Sequence, residues 1–283
     1  MARVVARLRQ SDLLDLVLPR ECGGCLRPGT DWCTRCARAL AGLAFQVPEA
    51  LGAGAPAPGM PSPALAAPGT FRGARGGAGP APGPAAERGG GPWVAPHPSP
   101  DGMPPVHAWG IYADPLRAAV SAWKDVGRRD LEAVLVPLLA ASVDGALAGV
   151  GWSDGVVVVV PAPSSRRAAR ERGDTPLTML CGAAVAQLAG RPGPTLRVAP
   201  ALRHVRRVRD QSGLGTVERR GNLAQALSVN PLWHSVIHDR RILLVDDVVT
   251  TGATFAEAAR ALRAAGSGAV VGASMAATQR TRG

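Results

Sequence analysis

With 283 residues, the chain has room for one large or two small domains. Its apolar content of 46% allows a real core, but aromatics at 4% leave Ala, Val and Leu to fill it. The net charge of +11 fits phosphorylated ligands, nucleic acid or an acidic surface, yet arginine supplies every basic position except Lys124. That bias makes charge a weak argument for function.

The N-terminal stretch carries arginines, but Asp12 and Asp15 interrupt Leu13–Leu18, so no signal-peptide apolar region forms. No stretch reads as long and apolar enough to span a membrane, and the expectation is a cytoplasmic protein without membrane insertion. Next comes Cys22-x2-Cys25-x7-Cys33-x2-Cys36. Two Cys-x2-Cys pairs supply four thiolates, the tetrahedral set that structural zinc prefers. Gly23-Gly24 and Pro28-Gly29 permit the turns that aim the sulfurs inward. A full ligand set leaves no open position for catalysis. A disulfide framework is the competing reading, disfavoured without a secretory signal.

Residues 47–105 hold 15 of the 26 prolines and 13 of the 35 glycines. A segment so poor in large apolar residues cannot bury enough surface to offset its ordering entropy. The chain therefore divides into an N-terminal helix and zinc-binding module (1–46), a disordered Pro/Gly/Ala-rich linker (47–105) and a C-terminal domain (106–283). In that domain, Leu116–Trp123 and Leu131–Leu147 show helical patterning, and Val156–Val160 is a five-valine strand. Thr175–Leu188 starts with a Thr-Pro pair suited to a helix N-terminus. It places Cys181 at a core position. Ile242–Val245 reads as a strand, Phe255–Ala265 as a helix and Ala269–Ala276 as a last strand. Alternating strands and helices predict an α/β domain, a parallel sheet flanked by helices.

The chemistry concentrates in two strand ends. Ile242–Val245 runs apolar without alternation, as in a strand covered on both faces. Asp246 and Asp247 follow, then Thr250, Thr251, Gly252, Ala253 and Thr254 before the helix. Backbone N–H groups of such a loop, with the start of the helix, make an anion site. Gly252 is expected to allow both a tight turn and close approach of the anion without a Cβ. The two acids cannot bind phosphate, so they call for hydroxyls or a metal. A phosphate cradle beside two carboxylates describes a phosphorylated sugar. The second strand end, after the five valines, is Ala162, Pro163, Ser164, Ser165, Arg166 and Arg167, where paired guanidinium forks suit a polyanion.

The apolar run, paired acids and Thr-Thr-Gly-x-Thr loop resemble the PRPP-binding motif of type I phosphoribosyltransferases. The order VPAPSSRRAARERG, then RRVRDQSGLGTVERRGNL, then LLVDDVVTTGAT, led by the four-cysteine module, is similar to the ComF family. The resemblance covers essentially the whole chain except the linker. It implies that the loop at 250–254 holds the ribose 5-phosphate and that Asp246 and Asp247 hold the ribose 2- and 3-hydroxyls. It further implies that 162–167 binds pyrophosphate, with magnesium accompanying PRPP, and a link to uptake of transforming DNA and competence proteins. One departure stands out: Arg172-Gly173 leads to Asp174-Thr175-Pro176, where the family usually has Phe-Asn-Gln.

Under this resemblance Arg203–Gly221, with Arg209 and Gln211, forms a hood over an acceptor that the motifs do not name. Three readings compete. One is a phosphoribosyltransferase acting on a small molecule such as a nitrogen heterocycle or amine, with a second copy of the chain (a homo-oligomer) among its candidate partners. Another is a non-catalytic PRPP or nucleotide sensor, and the third a single-stranded DNA accessory factor. Arg203–Arg220 contains no aromatic residue, so the third lacks a base-stacking platform. Lys124, the lone lysine, is either an incidental helix-end residue or a group facing the acceptor or PRPP site.

Overall fold

The computed structural model describes residues 20–45, 93–163, 175–205 and 225–278. By its contacts the chain forms two units: Met1–Leu43 with Ala113–Val134, and Ala44–Tyr112 with Leu135–Gly283. Composition alone sets the boundary at the linker, whereas contacts group 113–134 with the four-cysteine segment.

In the first unit, α1 (Thr34–Ala41) begins where the Cys33 side chain accepts the Cys36 N–H. After α2 (Leu116–Ser121) the expected helix widens into one π turn, Ala122–Val126, and ends at Gly127 with φ +81°. A 3-10 turn, Arg129–Leu131, leads into α3 (Glu132–Gly149). Trp123 is buried, donates from Nε1 to Glu132 at 3.2 Å and lies under the Arg129 guanidinium. The two stretches interlock. A Cβ on Gly23 would collide with Leu131, and one on Gly24 would lie 2.8 Å from both Cys36 Sγ and Pro115. Arg128 donates to the Glu21 carbonyl at 2.8 Å and pairs with Asp130.

The second unit is built on a six-stranded sheet of β1 (Trp93–Val94), β2 (Val106–Ile111), β3 (Val156–Pro161), β4 (Thr195–Val198), β7 (Arg241–Val249) and β8 (Val270–Ala277), in the order β1-β2-β8-β7-β3-β4. All neighbours are parallel except β1 on β2. A separate antiparallel pair joins β5 (Leu202–His204) to β6 (Leu227–Val229). The helices are α4 (Pro176–Leu188), α5 (His234–Ile237) and α6 (Ala253–Ala264), with residues 135–149 of α3. The chain is thus α/β, with a mostly parallel sheet flanked by helices, as expected. β8 is buried at all positions, and β3 and β7 nearly so, which is why they read as unbroken apolar runs. Thr175 occupies the N-cap of α4 with Pro176 in its first turn, but its side chain makes no cap bond.

Two expectations need correction. The described end of the proline-rich span, 93–105, is built into this unit: β1 pairs with β2, and Met103 packs on the core. The helix Arg129–Gly149 is long and apolar enough to cross a membrane by length and composition, although half of its apolar window is buried within the protein. Its apolar surface serves a core there.

His107 on β2 is enclosed where α3 has Gly145, whose Cβ would stand 2.5 Å from the ring. Trp93 meets the ring edge-on. Burial pushes its pKa down to about 4, and among the described residues Nε2 has no hydrogen-bond partner. Unfolded, the imidazole takes up its proton near 6.5. Between those values the unfolded chain binds more protons, so stability is full above 6.5 and falls as pH drops toward 4. Urea unfolding at pH 5 is expected to give about 2 kcal/mol less stability than at pH 7 from this group alone. His107→Gln should flatten that difference. An unchanged slope would mean that other groups carry it.

Candidate functional site

Adjacent parallel strands β3 and β7 send the chain in opposite directions, β3 on to β4 and β7 on to β8. Such a divergence opens a crevice beyond the carboxyl ends of the two strands, where open α/β sheets bind ligands. The described ends of both strands, Ala162 and Pro163 after β3 and the acid pair of β7, lie there. β3 finishes with Pro161 opposite Val245, and the Ala162 N–H donates to the Val245 carbonyl at 2.7 Å.

β7 is longer than the apolar run suggests. Pairing with β8 continues to Val249 opposite Ala277, so Asp246 and Asp247 sit inside the strand and not after it. The reason is one-sided: β3 stops at Pro161, opposite Val245, while β8 continues. On this half-released strand each carboxylate turns back to the next peptide. Asp246 Oδ1 accepts the Asp247 N–H at 2.9 Å, and Asp247 Oδ1 accepts the Val248 N–H at 3.0 Å. Asp246 is half-buried and Asp247 buried. Cys181 is buried too, and its thiol is pushed up, first by burial and then by the nearby Asp246 charge. It is an inert core thiol, as its helical position implied.

In the loop, Thr250 is exposed, Thr251 and Thr254 half-buried, and Gly252 and Ala253 buried. Thr251 Oγ1 accepts the Ala253 N–H at 3.4 Å. Thr278 Oγ1 donates to the Val249 and Thr250 carbonyls, pinning the loop where it leaves the strand. Gly252, φ +73°, is the N-cap of α6 and supplies no side-chain cap; apart from the Ala253 N–H, which Thr251 holds, the first turn has N–H groups of the kind that bind anions. The tight turn expected at Gly252 is present. The open approach is not: a Cβ there would strike Met103 Sδ and come within 3.0 Å of Pro96. Glycine is required by backbone conformation and by packing beneath the loop.

Of the second strand end, Ala162 is buried and Pro163 half-buried. Ser164, Ser165, Arg166 and Arg167 lie outside the described residues, as do Arg209 and Gln211 of the expected hood. A cleft of about 350 Å³ opens beside β3, between Pro161–Pro163, the start of α4 at Thr175 and Thr178, and Arg203–His204 of β5. The return to the core is clamped by a pair that sequence patterning does not reveal. Glu257 on α6 is buried, accepts the Leu227 N–H at 3.0 Å and binds Arg260 in a two-pronged fork. Burial works to raise its carboxyl pKa, but the Arg260 and Leu227 bonds outweigh it and hold the pKa low. Lys124 is exposed on the π turn of the first unit, whereas Asp246 and the loop belong to the second.

The four cysteines come together as expected. Cys22, Cys25, Cys33 and Cys36 place their sulfurs within 4.8 Å of one another, with Cys25 and Cys33 at 3.6 Å. Tetrahedral zinc with Zn–S near 2.3 Å needs sulfurs about 3.8 Å apart. All described cysteines are free, so no disulfide competes. Burial pushes the Cys22 thiol up, but N–H groups of Cys33, Gly24 and Cys25 together bring it down to about 6. Cys36 is pushed up by burial and by its sulfur neighbours. Crowded thiolates suppress one another's ionisation unless a cation neutralises them. The four can therefore bind one structural metal ion such as zinc. Among the described residues they are the only His/Cys/Asp/Glu group placed to do so. Among the described residues, Asp246 and Asp247 belong to no group of three or more such side chains.

No family model matches the chain, and no curated protein matches it.

Proposed function

We propose that the chain is a ComF-like phosphoribosyltransferase-type protein that binds PRPP with magnesium at 246–254, with zinc in the four-cysteine site. The observation that carries this is the meeting, at one sheet divergence, of an acid pair, a Thr-Thr-Gly loop opening α6 and the end of β3. Loop N–H groups and threonine hydroxyls would take the 5-phosphate. Asp246 and Asp247 would accept hydrogen bonds from the ribose hydroxyls. In transfer, an acceptor lone pair forms a bond to ribose C1 as the C1–O bond to pyrophosphate breaks, its electrons leaving with pyrophosphate. Magnesium, when bound, neutralises the departing charge and keeps several waters, so it needs few protein ligands. Arg166 and Arg167 would add forked donors to the same oxygens. A nitrogen heterocycle or amine is the favoured acceptor class, and a role in DNA uptake follows from the resemblance.

Calorimetry of the full chain with PRPP and magnesium is expected to show binding that Thr251→Val weakens about tenfold by removing a hydroxyl without changing shape. Pyrophosphate release across an acceptor panel then separates an enzyme from a sensor. Absence of PRPP binding, with salt-dependent binding of single-stranded DNA, would favour the accessory-factor reading.

A further inference from the structure

Pairing on both sides of β8 passes over one level. β2 pairs with β8 at Ala108–Ser274 and next at Gly110–Ala276, and β7 pairs with β8 at Asp246–Ser274 and next at Val248–Ala276. Met275 is skipped from both sides, beside Asp247. One level earlier a serine from α3 reaches both strands: Ser142 Oγ accepts the Ser274 N–H at 3.2 Å, donates to the His107 carbonyl at 2.9 Å and lies 3.4 Å from His107 Nδ1. It thereby bridges two backbone groups of neighbouring strands. On the other side, Ser274 Oγ is within hydrogen-bond reach of the Asp247 carbonyl at 3.0 Å and the Ala276 carbonyl at 2.9 Å. Ser142 and Ser274 are fully buried.

Inside a sheet a serine hydroxyl contributes little packing, and a buried polar group must be bonded or it costs free energy. Here the two hydroxyls run in series from α3, through β8, to the peptide that joins Asp247 to Val248. That peptide also carries the Val248 N–H, which Asp247 Oδ1 accepts. The plane of this one peptide therefore bears on where the Asp247 carboxylate points, and Ser274 holds its carbonyl end.

Resting on the phosphoribosyl-binding reading above, we propose that Ser274 is a positioning residue that aims the Asp247 carboxylate at the sugar hydroxyls, with Ser142 fixing Ser274 in turn. Its contribution falls on sugar-hydroxyl recognition and leaves phosphate capture by the 250–254 loop untouched.

The test compares ribose 5-phosphate with 2-deoxyribose 5-phosphate on the full chain with magnesium, by calorimetry, for wild type and Ser274→Ala. Wild type is expected to prefer the ribose compound. Ser274→Ala should weaken ribose 5-phosphate about tenfold and the deoxy compound hardly at all, compressing the ratio. Equal weakening of both, or an unchanged ratio, would overturn the inference while leaving the binding reading intact. Wild type that binds neither sugar phosphate would overturn the binding reading itself. Should Ser274→Ala fail to fold, Ser274→Cys keeps the shape with a weak donor and must show the same compression.

Discussion

Stripping the metal from the four-cysteine site, or replacing Cys22 with serine, is expected to unfold residues 20–43 together with 113–134. The described part of the first unit is small, and scaffolds of that size commonly depend on a staple. Structural zinc supplies about 10–16 kcal/mol to zinc-finger peptides near neutral pH, more than a small core contributes. Gly23 lies directly against Leu131, Gly24 against Pro115 and Cys36, and Arg128 holds the Glu21 carbonyl. Once the sulfurs separate, the surfaces receiving Leu131 and Arg128 go with them. Hydrogen exchange before and after chelation should show protection vanishing in both segments while β7 and β8 keep theirs. Loss confined to 20–43 would show that 113–134 stands without the metal.

That outcome would differ from what composition suggests, and the difference shows what a sequence can carry. The strand at Ile242–Val245, the threonine loop and the helix behind it are legible because burial on both faces and the change of period are local properties. The four cysteines are legible because ligand number and spacing are local as well. The grouping of 113–134 with the cysteines is not, because it rests on contacts such as Arg128 with Glu21, about a hundred positions apart. Strand β2 is hidden by His107 and Gly110, which break an apolar run although His107 is buried. β4 is hidden by its half-exposed edge, where Arg197 alternates with apolar neighbours.

The acid pair was legible as chemistry but not as geometry. Nothing in Val-Asp-Asp-Val says that β8 runs on beside the acids while β3 stops, yet that asymmetry turns each carboxylate toward its own backbone. Ser142 and Ser274 lie among alanines and valines, where a small polar residue reads as filler. Their role appears only when α3 and β8 come together. Met103 falls at the end of a proline-rich span that composition assigns to a linker, and its sulfur packs at the one loop position that tolerates no side chain.

Gly252→Leu is accordingly expected to destroy ligand binding and to destabilise the second unit, where the loop sequence alone would predict loss of binding on an intact fold. An L-residue at φ +73° costs about 1–2 kcal/mol. A branched side chain driven into Met103 and Pro96 adds about 1–3 kcal/mol of overpacking. The two causes can be told apart. Met103→Ala removes the closer obstacle but neither Pro96 nor the strained backbone, so Gly252→Leu in that background should recover most of the packing share of stability. Ligand binding should stay lost, because the loop N–H groups still cannot adopt their turn. Thermal unfolding and PRPP titration of the single and double variants measure both quantities. A Gly252→Leu protein as stable as wild type would mean that the 93–105 segment moves away from the loop at little cost. Recovered binding in the double variant would mean that Met103, and not the left-handed turn, is what makes glycine necessary.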